Sequence, residues 1–274
     1  MTATALLSAA PSNLHLTGAA PGAEPVRADT LGGFSAGQSW RLELAQDRPH
    51  HVLFWLTRGQ ARASVDGVLR GCGAHNALFL PAGTLFSLHP GAQNFGFALE
   101  FAPGLGLGWP DRPLHLRIRD AAAQIELTKL IEAMLSERAA HRALCDEALK
   151  AHARLISVWL RRQEGAESGE PEDTPARLVA RRFAAEVVAR HAEHPALAEI
   201  AGRLGTTAAD LETALRASAG EAPGPILDAR LRHAAQSALA RSGAQPEQVA
   251  RALGFPSAAA LDRFLAGRAA QTDG

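Results

Sequence analysis

The chain is short of several things that common protein classes need. Its 274 residues include two cysteines, no tyrosine and, among 28 basic residues, only two lysines, and the formal net charge is zero. Cys72 and Cys145 lack the close spacing of a zinc or redox motif. Two cysteines in so long a chain also make no disulfide framework, so they read as reduced thiols of a cytoplasmic protein. No run of 18 or more apolar residues is present, which excludes a membrane-spanning helix. The start, MTATALLSAAPS, has no basic stretch and only a short apolar patch, so no secretory signal is expected. Zero net charge argues against an unstructured basic nucleic-acid binder and against a polybasic membrane patch. It leaves open a binder whose charge is unevenly placed. No Ser-His-Asp order, Cys-His pair or glycine-rich phosphate loop is visible. GLGLG at 104–108 follows a strand without a capped helix behind it and reads as a loop. No catalytic residue, cofactor or enzymatic activity is therefore expected.

What is present is a globular composition, 47% hydrophobic and 20% charged, in a length that suits two domains. The 26 arginines bring rigid bidentate donors suited to phosphate and carboxylate alike, although a GC-rich gene would give the same skew.

The chain changes character three times. Residues 1–35 are rich in Ala, Gly and Pro and read as irregular or loosely attached. From about 38 to 101 the pattern is that of strands. In QSWRLELAQ, Trp40, Leu42 and Leu44 alternate with Arg41 and Glu43. HVLFWLTRG is a continuous apolar run, as in a strand covered on both faces. ARASVDGVLRG places Asp66-Gly67, a favoured hairpin turn, between two short strands. NALFLPAGTLFSLHPG gives two more around Pro81-Ala82-Gly83, and NFGFALEFA sets Phe95, Phe97, Leu99 and Phe101 on one face. About seven short strands so punctuated predict a β-sandwich or barrel over residues 1–120. From 121 to 163 the period turns helical. Leu127, Leu130, Ile131, Met134 and Leu135 form one stripe; Leu144, Leu149, Leu155, Ile156, Trp159 and Leu160 belong to another. These predict an antiparallel pair that packs on the β domain or on a second subunit. EGAESGEPEDTP, 164–175, reads as a linker, and 176–274 as a compact all-α domain of six or seven short helices. The fold class is thus α+β in two domains.

Within the helical domain two segments share one plan. EIAGRLGTTAADLETALRASAG has an apolar helix, a turn through Gly205, a hydroxyl at Thr207 suited to an N-cap, and a second helix. QVARALGFPSAAALDRFLAGR repeats it with Gly254 and Ser257. These are the ingredients of a helix-turn-helix, whose second helix can enter a major groove. One copy is weak evidence, because any αα-hairpin could show it. Two copies about 49 residues apart, bridged by a helix at Pro225–Ala240, are far more specific.

AEIAGRLGTTAADLETALRASAG, ILDARLRHAAQSALARSG and PEQVARALGFPSAAALDRF together resemble the AraC/XylS family of bacterial transcription regulators, over about the last 80 residues. HVLFWLTRGQARASVDG and HNALFLPAG look like the cupin-type barrel that many members carry. The resemblance implies a regulator that binds double-stranded DNA, dimerises through its N-terminal half (here the 121–163 helices), contacts RNA polymerase and answers to a small-molecule effector. The residues it assigns to DNA are Thr207, Ala208, Thr213 and Arg216 on the first reading helix, and Ser257, Ala258, Ala259 and Arg263 on the second. Arg181, Arg182 and Arg230, with Arg177, Arg190 and Arg232, are candidate phosphate contacts.

The sequence also departs from that pattern. Thr213 stands where the family usually has a basic residue, and Asp210 and Glu212 lie on the same helix, where they repel phosphate. The second helix keeps Arg263, but Ala258, Ala259 and Ala260 offer apolar contact with thymine methyls rather than hydrogen bonds. By segment the charge is +1 for 1–120, −3 for 121–173 and +2 for 174–274. A dedicated DNA-binding domain usually has a larger excess. A regulator-derived protein with weakened readout, acting by protein contact or ligand binding, is the alternative.

In the β domain the ligands of a metal-dependent cupin enzyme are missing. His50 and His51 are adjacent and so point to opposite faces, and Thr84-Leu85-Phe86 follows PAG where a histidine is common in such enzymes. His75 and His89 remain as loop or rim histidines, and no metal is expected. For a small effector the candidates are His51, Trp55, Phe79, Phe86 and Phe97, with Phe95, as the lining of an apolar pocket, although strand aromatics are more often plain core.

Overall fold

The computed structural model describes residues 24–164 and 173–267. Most of the expected linker and of the Ala/Gly/Pro-rich start therefore lies outside the described residues. Eight strands form among those described: β1 (Val26–Thr30), β2 (His51–Arg58), β3 (Ala61–Val65), β4 (Val68–Cys72), β5 (Asn76–Leu80), β6 (Phe86–Pro90), β7 (Phe95–Phe101) and β8 (Leu114–Arg117). Two antiparallel sheets result, one in the order β1-β7-β2-β5-β8 and a smaller one in the order β4-β3-β6. No closed barrel is seen among these strands, a correction to the barrel expectation. Their arrangement is that of two sheets face to face.

Strand β2 shows why its sequence is an unbroken apolar run. Val52, Phe54 and Leu56 point between the two sheets, where they meet Ala63, Val65, Leu78, Phe86 and Leu88. Leu53 and Trp55 point the other way into a second core. Both faces are covered, so the alternation expected of a half-buried strand disappears. Strand β7 splits likewise, Phe97, Leu99 and Phe101 to one side and Ala98 to the other. The hairpin from β3 to β4 turns through Asp66 (φ 48°) and Gly67 (φ 70°), the double left-handed geometry of a two-residue type I′ turn.

The second core is closed by α3 (Ala121–Ala140) and α4 (Cys145–Glu164). The expected stripes, Leu127, Ile131 and Met134 on α3 and Leu149, Ile156, Trp159 and Leu160 on α4, lie against Trp55, Phe79, Leu99 and Phe101 of the larger sheet. Buried polar tips fix the register. Trp55 Nε1 donates to Thr128 Oγ1 at 3.1 Å, Trp159 Nε1 to the Ala123 carbonyl at 3.2 Å, and Ser157 Oγ to the Leu107 carbonyl at 2.7 Å. The helical pair is thus a third layer on this chain's own sheet, which takes up most of the expected stripes, while Leu144 and Leu155 of the second stay exposed.

Two local readings are corrected. QSWRLELAQ is not a strand; its centre is a one-turn helix, with α1 (Leu31–Ser35) before it and α2 (Trp40–Glu43) in it. Only Leu42 of its three alternating apolar residues is buried, because Trp40 leaves the sheet core and meets His233 edge-on at 5.6 Å. Val26–Thr30, expected to be irregular, is an edge strand paired with β7 from Val26↔Phe101 to Thr30↔Phe97. Strand β8, which the sequence pattern did not single out, pairs with β5.

After residue 172 the chain is helical: α5 (Pro175–Arg190), α6 (Leu197–Arg203), α7 (Ala208–Ala219), α8 (Pro223–Leu239), α9 (Pro246–Ala252) and α10 (Ala258–Ala266). They enclose two cores. The first joins Phe183, Val187, Ile200, Leu211, Leu215 and Ile226, and it includes Ala45 and Leu85 from the β half. The second, around Ala235, Val249, Leu253 and Leu261, is made only of helical residues.

Trp159 ties α4 to α3 and fills the core against Trp55, with ring centroids 6.5 Å apart. Trp159→Ala is expected to destabilise the protein by about 3–5 kcal/mol, because a fully buried aromatic is replaced by a cavity. Urea unfolding followed by circular dichroism checks this.

Candidate nucleic-acid interface

The two helical segments that looked alike in sequence are alike in backbone. In the first, α6 is capped by Leu204, Gly205 takes φ 69°, and the Thr206 amide donates back to the Ala201 carbonyl at 3.0 Å. In the second, α9 is capped by Leu253, Gly254 takes φ 76°, and the Phe255 amide donates to the Ala250 carbonyl at 2.8 Å. This is a Schellman-type closure, and its left-handed residue is where glycine pays no Cβ penalty. Each following helix is capped as expected. Asp210 N donates to Thr207 Oγ1 at 3.1 Å, and Ala260 N to Ser257 Oγ at 3.2 Å. The inner positions match too: Ala201, Leu204 and Leu211 are buried in one, Ala250, Leu253 and Leu261 in the other. The longer second turn holds one more residue, Pro256.

The duplication therefore places α7 and α10 as the second helices of two helix-turn-helix units joined by α8. Their outer faces are open. Thr207, Ala208, Asp210, Glu212, Thr213 and Arg216 are exposed on the first, and Ala259, Asp262 and Arg263 on the second, with Ser257 and Ala258 partly so. Hydrogen bonding tempers that openness. Arg216 reaches Glu212 Oε1 at 2.8 Å, Thr213 Oγ1 donates to the Ala209 carbonyl at 2.9 Å, and Thr207 Oγ1 donates to Asp210 Oδ2 at 2.7 Å. At the start of α10 the Ala258 amide donates to Glu247 Oε2 at 3.2 Å, so a carboxylate already occupies a helix N-terminus that would otherwise attract a phosphate. Glu247 was not singled out in the sequence; its place one helix back in a motif whose turn length was known is the signal that could have found it.

The arginines expected on phosphate separate into groups. Arg182, with Arg251 and Arg263, is exposed and enters none of the ion pairs among the described residues. Arg181 pairs with Asp173 at 2.8 Å, and Arg190 with Glu193 at 3.1 Å. Arg177 is half-buried in the first turn of α5. Arg232 lies over the Phe264 ring at 4.5 Å and donates to the Leu265 carbonyl, which ties α8 to α10. Arg230 is a correction. It faces inward, its side chain 4% exposed, and holds Asp47 Oδ1 of the β half at 2.6 Å. A residue so placed is structural and offers nothing to a phosphate.

The effector candidates do not form one pocket. Trp55, Phe79 and Phe97 lie on the helix-facing side of the larger sheet, whereas Phe86 lies between the sheets. His51 stacks on Phe79 at 5.8 Å and accepts the Ala82 amide on Nδ1 at 3.2 Å, while burial and then His50 lower its pKa. Phe95 is exposed at the end of β7. The alternation along β2 explains the split: side chains at odd positions cannot share a cavity with those facing the other sheet. Among the described residues no group of three or more His, Cys, Asp or Glu converges as a metal site.

Sequence reasoning passed over a buried polar group between the sheets. His115 of β8 is almost fully buried, and its Nε2 is 2.8 Å from Asn76 Oδ1 of β5. Arg70 of β4 is buried near it, on the inward side with Val68 and Cys72. Burial, then Arg70 and Arg117, lowers the His115 pKa to about 4; burial raises the Cys72 thiol to about 11. The inward register of VLRGC was the signal that could have found Arg70.

No family model matches the chain, and no curated protein matches it. Solved structures with a related backbone include an apo variant of ToxT from Vibrio cholerae strain SCE256, at TM-score 0.41 and 13% identity over 88% of this chain and 92% of that one. Wild-type ToxT of the same strain with a bound unsaturated fatty acid gives 0.39 and 13%, over 88% and 90%. The AraC-like transcriptional activator CuxR gives 0.33 and 14%, over 70% and 67%. Likeness at this level decides nothing about what this chain does.

Arg230→Ala leaves Asp47 buried without its cation and is expected to cost about 3–5 kcal/mol of stability. Arg182→Ala, at an exposed position, is expected to change stability by no more than about 0.5 kcal/mol. Chemical denaturation of the two variants side by side distinguishes a structural arginine from a surface one.

Proposed function

We propose that the protein is a DNA-binding transcription regulator of the AraC type, with a β-sandwich N-terminal half and a C-terminal pair of helix-turn-helix units. One observation carries the reading: the same helix, left-handed glycine, backbone closure and hydroxyl cap occur twice, and both following helices turn an unpacked face outward. An αα-hairpin needs none of this twice in register. No helix among the described residues is long and apolar enough to cross a membrane.

Binding in this reading leans on a few free cations. Arg182, Arg251 and Arg263 supply phosphate or base-edge contacts, while Ala258 and Ala259 present methyl groups to thymine. With few phosphates neutralised per chain, binding falls gently with salt and gains most of its strength from a second copy. A dimer would use the outer face of α3 and α4, where Ile125 and Leu155 are about half exposed (54% and 51%) although the inner stripes are filled. Such a regulator works in the cytoplasm, is not an enzyme, and meets RNA polymerase at the promoter.

A second reading is favoured by the ion pairs of Arg181, Arg190, Arg203 and Arg216 and by Glu247 at the α10 N-terminus. It is a regulator-derived protein that keeps the scaffold and acts by protein contact. Binding of purified protein to a pool of genomic fragments at several salt concentrations separates the two. The regulator reading predicts a retained subset of fragments. Arg263→Ala should weaken that binding about 5–150-fold and lower the salt slope by about one, with the fold intact by circular dichroism. Equal affinity for every fragment would leave only the second reading.

A further inference from the structure

The two halves of the molecule meet at a seam with a charged centre. Asp47 lies in the segment between α2 and β2, and Arg230 lies midway along α8. Both Nε and Nη2 of Arg230 reach Asp47 Oδ1 at 2.6 Å, with the two side chains 4% and 8% exposed. Two imidazoles flank the pair. His233, one turn along α8, sits edge-on to Trp40 and has its Nε2 3.5 Å from Ser237 Oγ. His191, in the segment after α5, donates through Nδ1 to the Val187 carbonyl at 3.0 Å. From the β half, Arg41 and Arg48 add positive potential at His233. Arg48 is itself held by Glu100 at 2.8 Å, and Arg41 by Gln38 Oε1 at 3.0 Å. The carboxylate that faces Arg230 and His191 is Asp47.

Ala45 and Leu85 enter the first helical core, Gly67 lies against Ala180, and Gly220 lies near Leu69. Each half keeps its own core beyond these contacts, two in the β half and one wholly helical in the other. Parting the halves would leave those cores in place and uncover the shared contacts of Ala45 and Leu85.

We propose that this seam is a proton-sensitive latch: with His191 and His233 neutral, Asp47 and Arg230 hold the helical half closed on the β half, and a proton taken up by either ring opens it without melting either half. The physical reason is local. A proton on either ring sets a second cation beside Arg230 where only one carboxylate is available, in surroundings too dry to screen it. Burial, then Arg230, holds His191 down to about 4; burial, then Arg230, Arg48 and Arg41, holds His233 down to about 2. Both rings thus stay neutral in the closed state, while an opened seam returns them toward the ordinary 6.5. Protons bind the open form first, so closure is complete above about pH 6.5 and weakens as pH falls below it.

The latch is independent of whether the helical half reads DNA, and its test uses no DNA. Small-angle scattering and calorimetry are run on the full chain at pH 7.5, 6 and 5, with helix content followed by circular dichroism. The wild type should be compact with one cooperative transition at pH 7.5. At pH 5 it should have a larger radius of gyration and two transitions, with helix content retained. The double variant His191→Gln, His233→Phe keeps a ring against Trp40 but removes both protonation sites, and its opening should move down by at least one pH unit. Asp47→Asn should open at pH 7.5, and adding Arg230→Met, which removes the stranded charge, should close it again. A wild type that remains one compact unit at pH 5, or a double histidine variant that opens at the wild-type pH, would overturn the proposal.

Discussion

The architecture turns on one buried ion pair. Asp47 and Arg230 are 183 residues apart in the chain, and their contact sets where α8 lies against the β half. Helix α8 in turn carries both helix-turn-helix units: its first half enters the core of the first, and its second half builds the core of the next. A displaced Arg230 would therefore move α7 and α10 at once. An ion pair of this kind rarely adds much net stability, because desolvating two charges cancels most of their attraction, but an unpaired member is very costly. It acts as a registry device, penalising every other docking of the two halves more than it rewards the native one.

The same economy of charge governs the outer surface. Zero net charge over the whole chain divides into +1 for residues 1–120, −3 for residues 121–173 and +2 for residues 174–274. The structure adds a finer point, since within the helical half Arg181, Arg190, Arg203, Arg216 and Arg230 already have carboxylates. Arg203 bridges Glu186 and Glu199, Arg216 holds Glu212, and Arg181 holds Asp173. Exposed pairs of this sort are worth little to the fold and exchange readily. A phosphate that competes for such an arginine must displace a carboxylate, which lowers affinity without removing the donor.

How far the sequence could be read depended on how local the physics was. The twin turns were legible because a left-handed residue before a capped helix needs glycine and then a hydroxyl, all within six residues. The helical stripes of α3 and α4 were legible for the same reason, although what they pack on was not. Tertiary facts were less accessible. Trp40-Arg41-Leu42-Glu43-Leu44 alternates as a strand would, yet Trp40–Glu43 forms one helical turn and Trp40 meets His233 across the seam. Val26–Thr30 looked like loose chain because only its pairing with β7 makes it a strand. Arg230 read as a surface cation because its partner is distant in sequence; nothing near it in the chain signals Asp47. The effector candidates failed on geometry, since aromatic content on strands says nothing of which face each ring takes.

The two helix-turn-helix units differ in how they are supported, and that difference shapes how a change in the β half can reach them. The first shares its core with Ala45 and Leu85, and Leu69 of β4 stands beside Gly220 at the end of α7. The second has no residue of the β half in its core. It is seated on the segment after α5, where His194 Nε2 donates to the Leu253 carbonyl at 2.7 Å and Gly254 lies so close to the Ala192 carbonyl that a Cβ would not fit. A shift in the sandwich is therefore felt directly by α7. It reaches α10 only through α8 and that short segment, both of which border the charged seam through Arg230 and His191. The contacts between the sandwich and α10 thus run by way of α8 and that segment, both of which border the charged seam.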